Sequence, residues 1–490
     1  MNHDELDNNI SFRHKQGINS NCIKFLGLYI DNKLTWKNHI DYLIAKLSSA
    51  CFIMRAVKPM LAYSSLRMLY FAYIHSIMTY DMAVYLDHNA TTPVAEPVVQ
   101  KIIDSLNDEW GNPSSGYLPG TKSKNSIAEA RQHIALMIGG KPEDIIFTSG
   151  GTEANNMVIF GIVSYYEDWL KSVSFLKVTN EKPHVITTNV EHDAVILPIR
   201  HLEKTGAIDV SIIHVSTRGC VVPQDILSKI SHTTCLITVM LANNETGVIM
   251  PVEEIGRCIK EVNKQRKAEN LIRILYHTDA AQGVGKIQVD VQELNVDYLT
   301  VVGHKFYGPR IGCLYARGIG QETPVYPLLH GGGQERGYRP GTENTPMIAG
   351  LGEAARLVCE NLSTYSRHMK IIRDYLEEEL KEAFGEGNVI FNCSKDVRRL
   401  PNTCSVSLIG VELVGHVVLS KCAHIMASIG AACHAQNKPS GILLASGIPH
   451  HQAINSIRLS VGRETTKGDI DIAIEDLKQS VTTLLYKNSS

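Results

Sequence analysis

From Val84 onward the chain is a succession of short apolar, β-branched runs, most of them separated by helix-length stretches. The runs are VYLD from Val84, HVITTNV (184–190), CLITVML (235–241), IRILYHTD (272–279) and DYLTVVGHK (297–305), and residues 253–263 are a typical helix-length spacer. Alternation of this kind predicts an α/β fold with a mostly parallel sheet covered by helices. Such a sheet gathers its chemistry at the carboxyl ends of its strands. The polar clusters that close or follow these runs are therefore the places to look for function.

Two of those clusters belong together. Asp279 closes one run and Lys305 closes the next. A carboxylate at the end of a buried strand is costly unless paired. A pyridinium N–H is a suitable partner, and a lysine beside it can hold an aldehyde as a Schiff base, which is how a pyridoxal 5'-phosphate (PLP) site can be built. Taken singly, Asp279 also suits a helix N-cap, and Lys305 suits a surface position before the Tyr307-Gly308-Pro309 turn. A third cluster, Thr148-Ser149-Gly150-Gly151-Thr152-Glu153, follows Ile145-Ile146-Phe147 and opens a helix-like stretch. Gly150 and Gly151 let the backbone approach a phosphate, the helix N-terminus offers free N–H groups, and Thr152 adds a hydroxyl. The same residues make an ordinary strand-to-helix turn. The order of phosphate loop, acid and lysine is what favours a PLP site.

Further candidates follow other runs. His192, in Glu191-His192-Asp193-Ala194, is placed to lie on a cofactor ring and move protons, or to be a polar loop residue. Asn244, in ANNETG, is a ring contact or a turn residue. Cys433 follows small residues and precedes Lys438-Pro439-Ser440-Gly441, so it is a candidate nucleophile provided its thiolate is reachable, or one free thiol among eleven. Arg458 and Arg463 are each able to grip a carboxylate bidentately, with one of the two expected to be structural.

At 490 residues two or three domains are expected. Hydrophobic residues make up 44% and charged residues 20%, as in an ordinary globular protein, and a net charge of -2 leaves no nucleic-acid or membrane footprint. The cysteines form no Cys-x-x-Cys pair, which argues against a disulfide framework and a zinc ribbon and fits reduced thiols. No metal is expected. With no long apolar span and a polar, acidic start, the expected compartment is the cytoplasm.

Residues 1–83 differ in content. Residues 23–30 predict a strand ending at the turn Asp31-Asn32, and apolar spacing predicts helices over 37–57 and 66–78. With FLGLYIDNKLTW at 25–36, this arm resembles the segment that follows the catalytic core in reverse transcriptases of non-long-terminal-repeat retrotransposons. It contains no polymerase carboxylate pair, so it is expected to be non-catalytic.

Seven motifs occur in order along the rest: LDHNATTP (86–93), TSGGTEANN (148–156), EHDA (191–194), ANNETG (242–247), HTDAAQ (277–282), GHKFYGP (303–309) and GGGQERGYRPGTEN (331–344). With them, residues 84 to about 485 resemble the cysteine desulfurase and selenocysteine lyase family of fold-type I, class V PLP enzymes. The resemblance implies a large PLP-binding domain over 96–345 and a smaller α/β domain made of 84–95 with 346–490. It implies that Lys305 carries the cofactor and acts as base, Asp279 pairs with the ring nitrogen, Gln282 and Asn244 bond around the ring hydroxyl, and His192 stacks on the ring. Gly151, Thr152 and His304 fall at the phosphate, joined by Thr342 across a homodimer interface. Arg458 would hold the substrate carboxylate, and Cys433 would meet its sulfur or selenium.

The chain departs from the desulfurase pattern at Val302, where many desulfurases have serine, at Gly151 within the usual Gly-Ala-Thr turn, and at Ala431-Ala432-Cys433-His434. The forms around Val302 and Cys433 are more similar to the selenocysteine lyases of the family. The implied reaction is decomposition of selenocysteine to alanine and selenide with electrons from a reduced acceptor. The alternative is desulfuration of cysteine through a persulfide on Cys433 for an acceptor protein. A third reading, a nucleic-acid-associated fusion with the PLP module as passenger, rests on the arm alone.

Overall fold

The computed structural model describes residues 22–25, 28–31, 83–173, 181–394, 396–410, 413–430 and 438–486. The chain divides into two compact units, Met1–Ala83 and Val84–Ser490. In the first, β1 (Cys22–Phe25) pairs antiparallel with β2 (Leu28–Asp31), Phe25 opposite Leu28. The single strand expected over 23–30 is thus two strands, because the chain reverses between them. The helices expected at 37–57 and 66–78 lie outside the described residues.

The second unit opens with β3 (Val84–Tyr85), and its core is a seven-stranded sheet. The strands of that sheet are β4 (Ile145–Thr148), β5 (His184–Thr188), β6 (Asp209–Ile213), β7 (Thr234–Thr238), β8 (Leu275–Asp279), β9 (Tyr298–Val302) and β10 (Gly312–Ala316). Their order is β4-β10-β9-β8-β7-β5-β6. Only β10 runs against its neighbours, antiparallel to both β4 and β9, and the other six point one way. The mostly parallel α/β sheet expected from the sequence is present. Helices cover it, among them α1 (Glu96–Asp108), α2 (Leu118–Met137), α3 (Gly151–Val173), α4 (Asp193–Lys204) and α5 (Val252–Ala268). Strands β4, β5, β7, β8 and β9 are buried throughout, which explains why their runs read as continuously apolar rather than alternating.

One 40-residue helix, α6 (Thr345–Phe384), serves two cores. Ile348, Leu351, Ala354, Ala355 and Val358 pack into the core beside α1 and α2. Met369, Ile372, Leu376 and Leu380 belong to a second core, with Val406, Leu459, Ile470 and Leu477. The helix stops at Gly385, whose φ of +85° suits glycine and whose N–H bonds back to Lys381. The second core holds a three-stranded antiparallel sheet of β11 (Val389–Phe391), β12 (Thr403–Leu408) and β14 (Ser456–Ser460), closed by α7 (Lys467–Tyr486).

The alternation of runs groups VYLD with the main sheet, whereas the resemblance sets 84–95 apart with the smaller domain. Instead of joining the main sheet, β3 pairs in parallel with β13 (Ile425–Met426), and Val84 and Leu86 sit in the second core. Position in sequence misled here, since a strand preceding an α/β sheet need not enter it. No helix among the described residues is long and apolar enough to cross a membrane.

Candidate active site

Because β4, β5, β7, β8 and β9 point the same way, their carboxyl ends open on one edge. The turns that leave them carry Gly151 and Thr152, His192, Asn244, Asp279 with Gln282, and His304 with Lys305. A parallel sheet therefore assembles residues from separate motifs without needing any of them close in sequence. Lys305 itself is not the last residue of a strand. Strand β9 ends at Val302, and Lys305 closes the 3-10 turn Gly303–Lys305 that follows.

The Lys305 ammonium donates to the backbone carbonyls of Asn89 at 2.7 Å and Ala90 at 2.8 Å. Burial, reinforced by the positive charge of Arg458, pulls its pKa down to about 8, against the smaller opposing pull of Asp279 and Asp87. Two residues later the backbone is strained, because Tyr307 has a φ of +67°. Thr92 holds it by accepting the Tyr307 N–H at 2.7 Å, and the Tyr307 hydroxyl accepts the N–H of Arg463 at 2.8 Å.

Asp279 is buried. One carboxylate oxygen accepts the Ala281 N–H at 3.0 Å and the other accepts the Asn155 amide at 2.8 Å, which leaves lone pairs for one more donor. Helix α3 begins at Gly151, and the Thr152 side chain above it is exposed. A Cβ on Gly151 would come within 2.5 Å of Val302 Cγ2. The two departures at 151 and 302 are therefore a single packing change, since the valine occupies the space that an alanine would need. His304 contacts Thr91 Oγ1 at 3.1 Å, and burial, with Lys305 and Arg310 nearby, lowers its pKa to about 4.

His192 is exposed and caps α4, its Nδ1 accepting the Ala194 N–H at 3.1 Å. That bond fixes Nδ1 as the acceptor and leaves Nε2 for other partners. Asn244 accepts the Arg458 guanidinium on its backbone carbonyl at 2.9 Å, while its side-chain oxygen is buried with no partner. Arg458, 3% exposed, also donates to Asp87 at 2.6 Å and Ser428 at 2.9 Å, and its Nε is buried and unpaired. Arg463 is committed elsewhere, its guanidinium stacked 3.8 Å from the ring of Tyr307 and 4.9 Å from that of Tyr365. Of the two arginines, then, Arg458 is the one beside Asn244 and Lys305. Thr342 is exposed on its loop. Cys433 lies outside the described residues.

Several residues gathered here were not singled out from the sequence. Asn89, 1% exposed, has every polar atom engaged. Its carbonyl accepts Lys305 and Gln282, its side-chain oxygen accepts Lys286 at 2.9 Å and Asn402 at 3.0 Å, its amide donates to Thr403 at 2.8 Å, and its N–H donates to Ser460 at 2.9 Å. It joins the turn after β9 to the three-stranded sheet. Lys286 is a second buried lysine, bonded to the Gln282 side-chain oxygen at 2.7 Å, and burial beside Lys305 and Arg458 drives its pKa well down. Gln282 is therefore held at both ends of its amide. Glu191 is buried, and its pKa is pushed up to about 8 by desolvation. The LDHNATTP motif contained Asn89, but nothing in its spacing marked that residue as a hub.

An acid at the end of β8, a lysine in the turn after β9, a helix N-terminus and an unsatisfied Asn244 oxygen together form a site for a planar, phosphorylated cofactor. The family model for class-V aminotransferases matches residues 84–472, and the chain belongs to that family. Among its relatives, "Selenocysteine lyase" of Xenopus tropicalis is 54% identical over 404 residues, covering 82% of this chain and 94% of the relative. "Cysteine desulfurase IscS" of Clostridium botulinum is 38% identical over 403 residues, covering 81% and 94%. A solved "NIFS-LIKE PROTEIN" superimposes with a TM-score of 0.71 at 31% identity, covering 82% of this chain and all of the other. The fold is that of the fold-type I PLP enzymes, and the cofactor is PLP. The residues present fit it: the buried, partnerless Asn244 oxygen awaits a donor such as the ring hydroxyl, and Asp279 retains room for a ring N–H.

Proposed function

We propose that this chain is a PLP-dependent lyase that breaks the Cβ–Se bond of L-selenocysteine. Alanine is released with selenium, which takes two electrons from a reductant to leave as selenide. The observation that carries the reading is Lys305: an amine held near pKa 8 between an acid suited to the ring nitrogen and a guanidinium suited to an amino-acid carboxylate. The similarity to relatives named selenocysteine lyase supports the substrate.

The chemistry that the cofactor supplies when bound is an electron sink that lets the substrate's α-proton leave. Lys305 carries the cofactor and accepts that proton on Nζ, which its lowered pKa makes possible near neutral pH. Arg458, held in place by Asp87 and Asn244, receives the substrate carboxylate, with its unpaired Nε available as a donor. Asp279 would pair with the ring nitrogen, Asn244 and Gln282 would bond around the ring hydroxyl, and His192 would stack on the ring. Gly151, Thr152 and His304 would hold the phosphate, and Thr342 would serve the site of a second copy in a homodimer. Cys433 meets the departing selenium, and the two electrons of the reductant release it as selenide.

Residues 96–345 form the large domain and 84–95 with 346–490 the small one, with the first half of α6, through Val358, packed back into the core of the large domain and the second half in the core of the small one. The protein acts in the cytosol. Residues 1–83 take no part in catalysis, so a chain starting at Val84 should fold and keep its turnover; an insoluble product would reverse that assignment.

The test is alanine release from selenocysteine and cysteine at matched concentrations. Strong turnover of selenocysteine with cysteine inert is the expected result. Comparable turnover of both would move the assignment to cysteine desulfurase, the reading favoured by the 38% identical relative.

A further inference from the structure

A row of buried polar side chains lies under the first turns of α3, and no step above uses it. Thr238 and His277 are register partners on β7 and β8, and Asp279 and Thr300 are partners on β8 and β9. Side chains two apart on a strand share a face, so His277 and Asp279 point the same way. Asn155, in the second turn of α3, reaches between Asp279 and Thr300. Thr238, His277, Thr300 and Asn155 are all 0% exposed.

The direction of every bond in this row follows from one fact. An ionised carboxylate only accepts, so the Asn155 amide nitrogen donates to Asp279 at 2.8 Å. The Asn155 oxygen must then accept, and Thr300 donates to it at 2.6 Å. The Thr300 hydroxyl has spent its hydrogen, so it accepts from His277 Nε2 at 3.1 Å. His277 is consequently the Nε2–H tautomer, and its Nδ1 accepts from Thr238 at 2.8 Å. Burial keeps this imidazole neutral, with a pKa lowered to about 4. All four donors point toward Asp279, and aligned bonds of this kind polarise one another.

We propose that Asn155 is a positioning residue for Asp279, locked in one amide orientation by the Thr238–His277–Thr300 donor chain, and that the row keeps the shared proton on the cofactor's ring nitrogen rather than on the carboxylate. This rests on the PLP reading above. Hydrogen bonds to a carboxylate lower its proton affinity; without them the proton of an acid–pyridine pair moves toward the acid. Other titratable groups acting on Asp279 are Lys305 from the turn after β9, Glu191 from the end of β5 and His277 on its own strand. The variants leave Lys305 and Glu191 in place.

The experiment uses holoenzyme carrying PLP labelled with 15N in the ring, whose chemical shift reports whether the nitrogen is protonated. Asp279→Asn should move the signal to the unprotonated position. Asn155→Ala and the isosteric Thr300→Val should lower the protonated-to-unprotonated ratio about tenfold, the scale of one hydrogen bond to a charged group. Thr238→Val, at the fourth bond from Asp279, should act in the same direction but less, and Thr300→Ser should retain the wild-type signal. If Asp279→Asn moves the signal and Asn155→Ala and Thr300→Val do not, the inference is wrong and the PLP reading stands. If Asp279→Asn itself leaves the signal unmoved, the pairing of Asp279 with the ring is wrong. A second measurement needs no variant: 15N spectra of the unmodified apoprotein should show His277 neutral and protonated on Nε2 at pH 6, and an Nδ1–H or doubly protonated ring would overturn the proposal.

Discussion

The two sheets contribute to the site in different ways. The seven-stranded sheet offers the ends of its strands: Asp279 closes β8, and Lys305 and His304 stand in the turn after β9. The three-stranded sheet offers the middle of one, since Arg458 is the central residue of β14 and reaches sideways to Asp87 and Asn244. A parallel sheet has one edge where several chain reversals meet, which suits a cofactor gripped at many points. An antiparallel sheet has no such edge, and it supplies a single directed cation, which the proposed function assigns to the substrate carboxylate. Asn89 is the joint between them, bonded to Lys305 and Lys286 on one side and to Thr403 and Ser460 on the other.

That contrast breaks most visibly at Lys305. Lys305→Ala should abolish covalent attachment of PLP, followed by its absorption spectrum, and cost at least ~10²-fold in turnover through loss of the base alone. Arg458→Lys should instead raise KM by roughly 10- to 100-fold, because a guanidinium plane fixed by Asp87 and Asn244 is replaced by a flexible point charge, and leave the cofactor spectrum as it was. A change in PLP affinity as large as the change in KM would show that the two sheets do not divide the labour.

The phosphate end of the large sheet offers a subtler test. Gly151→Ala drives a methyl group into Val302 and should destabilise the protein by about 1–3 kcal/mol in urea unfolding. Gly151→Ala with Val302→Ser should recover most of that loss, as expected for one coupled substitution. The smallest effect concerns pH. PLP uptake by the apoprotein requires the neutral Lys305 amine, so its rate should climb with pH up to about 8 and then level, instead of climbing toward the ordinary lysine value. Removing the Arg458 charge with Arg458→Gln removes a cation that disfavours protonation, so the levelling point should move to higher pH. A levelling point unchanged in that variant would mean that burial alone sets the lysine.

Much of this was legible before any coordinates. Asp279, Lys305, Thr152 and Asn244 were readable because each follows an apolar run, and the order of those runs is fixed along the chain. Arg458 and Arg463 were not separable, since both lie in the same stretch and only packing against Tyr307 and Tyr365 sets one aside. β10, the one reversed strand, carries the same apolar signature as its parallel neighbours, and direction leaves no mark on composition. The VYLD run by itself states only that it is a buried strand and does not say which sheet takes it.

Sequence by itself determined the α/β class, the family and the set of chemical groups, because periodicity and motif order are one-dimensional properties. Only the tertiary structure decided which of those groups meet. Asn89, Lys286 and Asn155 gain their importance from partners 124 to 371 residues away, and a hydrogen bond depends on distance and direction in space, which the order of residues along a chain does not record.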